Sequence, residues 1–89
     1  MTHSIVDAND IEAQKGVFKP MGRTLGVSAF GINQLELPPG AEGPMHDHAS
    51  DGQEEVYVIV RGNGTIRLDG TEEHLEVGKY VFVPPEQKR

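Results

Sequence analysis

Two histidines one residue apart begin the stretch of this sequence whose residue types and spacing best suit a metal ion. In "GPMHDHASDGQEEVYVIVRG", residues 43–62, His46 and His48 are followed by a short polar loop, by Glu54 and Glu55, and by an apolar run. Side chains alternate along an extended segment, so both imidazoles point to the same side. A carboxylate on a strand that folds back onto them completes a two-His, one-carboxylate set. Such a set suits Fe(II), Mn(II), Ni(II) or Zn(II) and leaves positions open for water or a substrate. Alternation also separates the two glutamates. Glu55 shares a face with Tyr57, Ile59 and Arg61, and Glu54 shares the other with Val56, Val58 and Val60. Periodicity leaves open which face looks toward the histidines. The plainer alternative is a solvated H-x-H pair in a Gly- and Asp-rich loop, with the glutamates as charges that guard an aggregation-prone run.

The elements that must position these groups are short strands. Gly and Pro punctuate the chain every few residues, from Gly16 to Pro85, and the apolar residues fall in brief runs between them. "NQLELPPG", "TIRLDG" and "HLEVG" alternate with period two, which predicts half-buried strands with Leu35, Leu37, Ile66, Leu68, Leu75 and Val77 inward. "EVYVIVR" and "YVFVP" are apolar on both faces and predict strands covered on both sides, by a second sheet or a neighbouring subunit. "LDGTE" reads as a hairpin turn, because Asp-Gly suits positive φ. "RGNG" reads as a second turn. No stretch after residue 16 supports a three-turn helix, and Asn9 or Asp10 ahead of "IEAQ" caps a single turn at most. The expected class is all-β, a sandwich, barrel or jelly roll in one domain spanning residues 1–89.

Composition narrows the functional classes. A chain of 89 residues is near the lower end of what buries its own core, hiding roughly 60–65% of its unfolded surface. There is no Cys, hence no disulfide, no thiolate metal site and no cysteine nucleophile. The net charge of −6, with basic residues scattered singly, offers no footprint for nucleic acid and no polybasic anchor for a membrane. The N-terminal segment lacks the basic and apolar regions of a signal peptide, so a cytoplasmic protein is expected. No serine triad, phosphate loop or H-E-x-x-H is visible.

The cluster resembles the first motif of the cupin superfamily: G, five residues, H-x-H, a short gap, E, six residues, G. Gly40 leads to His46 and His48, and Glu55 leads through "VYVIVR" to Gly62. The resemblance therefore selects Glu55 over Glu54. The gap between His48 and Glu55 exceeds the usual three or four residues, which implies an enlarged loop. The second motif, G, five residues, P-x-G, two residues, H, begins well at Gly78 and Pro84. It then departs, with Glu86 in place of the glycine and Arg89 in place of the histidine that is the usual fourth ligand. Arginine has no lone pair to give a cation.

What the resemblance implies is a small single-domain cupin, a jelly-roll β-barrel whose last strands either lie beyond residue 89 or have their place taken by a partner's edge. It implies a small-molecule pocket and a weak divalent-metal site from His46, His48 and Glu55, with Fe, Mn, Ni or Zn as the candidate ions. Arg89 would add charge for a ligand, and Tyr57 and Phe82 would line the pocket. The alternative is a metal-dependent enzyme of dioxygenase or isomerase type acting on a small polar metabolite, since the fold itself does not fix a reaction. His3 carries no such pattern, and His74 reads as an ordinary surface or cavity-wall residue, the only other histidine that could stand in as a ligand. The two-sided apolar strands also lead us to expect a homodimer.

Overall fold

A computed structural model describes residues 2–89. They form two compact units, one running to Glu42 and the other from Gly43 to Arg89. In the first, β1 (Phe18–Lys19) pairs antiparallel with β2 (Gln34–Leu35). Between them lies a five-residue helix, α1 (Met21–Leu25), closed by Gly26 at φ 86°. That left-handed cap, which glycine adopts without strain, lets the Gly26 N–H return to the carbonyls of Gly22 and Arg23. Lys19 is buried and pairs with Glu36 at 2.6 Å while donating to the Ala8 carbonyl. The turn expected at Asn9 or Asp10 comes slightly earlier, over Ala8–Asp10, because the Asp7 side chain accepts from the Asn9 N–H and caps it. An open depression of about 370 Å³, lined by Phe18, Arg23, Phe30 and Ile32 among others, also belongs to this unit.

The second unit carries four strands: β3 (Glu55–Val58), β4 (Asn63–Leu68), β5 (Thr71–Glu76) and β6 (Tyr80–Val83). β4 and β5 form a hairpin in which Leu68 faces Thr71. Its turn is Asp69-Gly70, with φ of 50° and 85°, the two positive values that a tight hairpin loop demands. β3 pairs antiparallel with β6, Glu55 opposite Val83 and Val56 opposite Phe82. Val83 is fully buried and Leu75 nearly so. Ile66 and Leu68 are half-buried as expected, whereas Val77 lies beyond the end of β5 and is exposed.

Strands dominate and helix is slight, so the all-β expectation holds. The ladders are three separate two-stranded sheets, and no continuous barrel wall runs through the described residues. Two expectations are corrected here. β3 ends at Val58, short of the long "EVYVIVR" strand, and β2 covers only two residues of "NQLELPPG". Within the chain itself the β3–β6 sheet is covered on one face only, which leaves the other for the neighbouring subunit that the sequence also allows. Val56, Val58, Phe82 and Tyr80 on its other face are all exposed, Tyr80 by 74%.

Candidate metal centre

The histidine-bearing segment is extended but is not a strand of any ladder. His46 and Arg89 exchange both backbone hydrogen bonds at 2.9 Å, and the His48 N–H donates to the Pro85 carbonyl at 2.7 Å. The segment thus lies along the residues that follow β6, and β6 in turn pairs with β3. This differs from the expected direct pairing of the histidine segment with β3. The result still brings the three groups together, because Glu55 opens β3 on the face that carries Tyr57.

His48 Nε2 lies 3.4 Å and His46 Nε2 3.5 Å from the same oxygen, Glu55 Oε1. One ligand atom from each residue falls within 4.8 Å of the other two, and the group could hold a metal ion. The rings meet edge to face, with centroids 5.3 Å apart. Their other nitrogens are already engaged. Nδ1 of His48 faces the Asp51 carboxylate at 3.0 Å, and Nδ1 of His46 faces the Pro44 carbonyl at 3.2 Å. Both partners can only accept, so a neutral ring protonated at Nδ1 satisfies them and leaves Nε2 as the donor atom a metal would need.

Asp51 escaped the sequence reading, and local turn chemistry explains its place. The N–H groups of Asp51 and Gly52 both return to the His48 carbonyl, and Gly52 takes φ 72°. That single turn carries the Asp51 side chain back onto His48. The His48 hydrogen bond, helped by the Gln53 N–H, holds the Asp51 carboxyl below its ordinary value of 3.8. The signal present in the sequence was an acidic residue three positions after a histidine and just before a glycine.

Glu55 is fixed by two further groups. The Tyr57 hydroxyl donates to Oε1 at 2.9 Å. Burial first, then this hydrogen bond and the Glu55 charge, push the Tyr57 hydroxyl up to about 12, with Arg89 opposing. Arg89, with a side chain only 2% exposed, brings Nε to 3.1 Å from Oε1. That contact is an ion pair without hydrogen-bond geometry. Nε and Nη1 are shut off from solvent with no hydrogen-bond partner among the described residues, while Nη2 donates to the Val83 and Pro84 carbonyls. Of the residues singled out from the sequence, His46, His48, Glu55, Tyr57 and Arg89 converge here. Phe82 does not, because its register opposite Val56 places it on the far face of the sheet. His74 is exposed on β5, 3.6 Å from Glu76, and plays no part.

The cupin domain model matches residues 33–89. This chain belongs to the cupin family. No curated protein and no solved structure matches it significantly. The cupin match spans both histidines, Glu55 and Arg89, so the cluster lies within the family's own region. Two imidazoles and a carboxylate form an N₂O donor set appropriate to Fe, Mn, Ni or Zn. Arg89 is the one member of the cluster that works against a cation. No helix among the described residues is long and apolar enough to cross a membrane.

Proposed function

We propose that this cupin uses His46, His48 and Glu55 as a weak three-ligand site for a divalent metal, in a domain that binds a small polar molecule. The observation that supports it is the convergence of two Nε2 atoms on one carboxylate oxygen, with each ring's Nδ1 locked by an acceptor. An acceptor behind each ring is the arrangement that orients metal-ligating histidines. His46 and His48 supply neutral nitrogen donors and Glu55 the single negative charge. Asp51 orients His48, and Tyr57 holds Glu55 in place. A divalent ion bound there supplies Lewis-acid polarisation or oxygen activation.

The second reading is a metal-free binding module in which the same side chains hydrogen-bond the ligand. Arg89 favours it, because a buried cation already faces Glu55. Elemental analysis of protein purified without a histidine tag, repeated on His48→Ala, separates the two. Near-stoichiometric metal that is lost in the variant supports the first. No metal in the wild type, even after reconstitution with Fe, Mn, Ni and Zn, removes it and leaves the binding module.

A further inference from the structure

Glu55 already has a cation. The Arg89 guanidinium is nearly sealed from solvent and lies 3.1 Å from the oxygen on which both histidines converge. Its positive charge offsets the negative charge of the Glu55 carboxylate. A divalent ion entering the same group meets that positive charge at short range.

The way Arg89 is held matters as much as its charge. Its Nη2 is tied to the Val83 and Pro84 carbonyls, but Nε and Nη1 are buried without a hydrogen bond. A guanidinium with every donor satisfied would be a permanent plug. One with two donors lacking a hydrogen bond has a weaker hold on Glu55, carried by charge and not by hydrogen-bond geometry. The oxygen it faces is also crowded, since the Tyr57 hydroxyl already donates to Oε1.

We propose that Arg89 is an internal competitor for Glu55 that sets the metal affinity of the site, so that metal binding requires the Arg89–Glu55 ion pair to part. The proposal rests on the three-ligand reading above and explains why that site is weak. Coupling of this kind is reciprocal: Arg89 weakens the metal by the factor by which the metal weakens the ion pair.

Calorimetric titration with Zn²⁺ of the wild type and of Arg89→Gln tests it. The variant removes the charge while keeping a polar side chain, and the expected gain in affinity is on the order of tenfold. Proton–nitrogen NMR of the unmodified protein gives a second readout that does not depend on the variant folding. The Arg89 Nε–H resonance shifts and loses its protection from solvent exchange as Zn²⁺ saturates the site. Equal or weaker Zn²⁺ binding by a folded Arg89→Gln overturns the proposal and leaves the metal site standing, as does an Arg89 resonance unmoved at saturation. Absence of Zn²⁺ binding in both proteins overturns the metal reading and this one with it.

Discussion

Replacing Tyr57 with Phe removes one oxygen atom from the middle of the cluster. That atom donates to Glu55 Oε1 at 2.9 Å, and burial first, then this hydrogen bond and the Glu55 charge, push the hydroxyl from 10.0 up to about 12. Two pH units are worth about 2.7 kcal/mol before screening. The ring is only half-buried, so solvent reduces this to roughly 1–1.5 kcal/mol, of which the hydrogen bond supplies only a part because burial is the larger cause. The pH dependence has a definite sign. The folded-state value lies above that of the unfolded chain, so the contribution is fully present below pH 10 and drains away as pH rises toward about 12. Urea unfolding of the wild type and Tyr57→Phe should therefore differ most at neutral pH, and the gap should narrow across that alkaline interval. The chain has two tyrosines, so ultraviolet titration of phenolate in the variant identifies which step belongs to Tyr57. If the missing step lies at the ordinary tyrosine value, Tyr57 is not held against Glu55 and the account of how that carboxylate is fixed is wrong.

Asp51→Ala removes the acceptor behind His48 Nδ1 and is expected to weaken Zn²⁺ binding about 10-fold or more, read by the same calorimetric titration, with little change in the melting temperature because Asp51 is exposed. A homodimer built on the open face of the β3–β6 sheet predicts twice the chain mass by light scattering at micromolar concentration. Phe82→Glu, which places a charge on that face, should return it to a monomer, and a monomeric wild type would dispose of the idea.

The hairpin at Asp69-Gly70 was legible because its residues answer to a local rule, positive φ at two successive positions. His46, His48 and Glu55 were legible as residue types, yet the choice of Glu55 over Glu54 needed the family pattern, since alternation treats the two faces alike. Strand length was not legible. "NQLEL" alternates well, but Leu35 and Leu37 stay about half exposed, and without a partner to bury them the ladder ends at Leu35. Helix α1 carried one cue, Gly26 placed to cap it, too little against the Gly and Pro around it. Arg89 showed the hardest part. Its identity was plain, but whether a long cation turns toward a ligand or toward Glu55 depends on the packing around Val83 and Pro84, and those contacts have no sequence signature.

The doubly hydrogen-bonded pairing of His46 with Arg89 has a consequence for how the protein assembles. It joins the beginning of the second unit to the residues beyond its last strand, the kind of distant contact whose loop-closure entropy must be overcome before it contributes anything. The β4–β5 hairpin, closed by two residues, has no such requirement and can form first. The histidines therefore reach Glu55 only when the ends of the unit have zipped together, and local opening there dismantles the cluster while the hairpin persists. The amide protons of His46 and Arg89 are thus a gauge of the cluster, exchanging with solvent each time it comes apart.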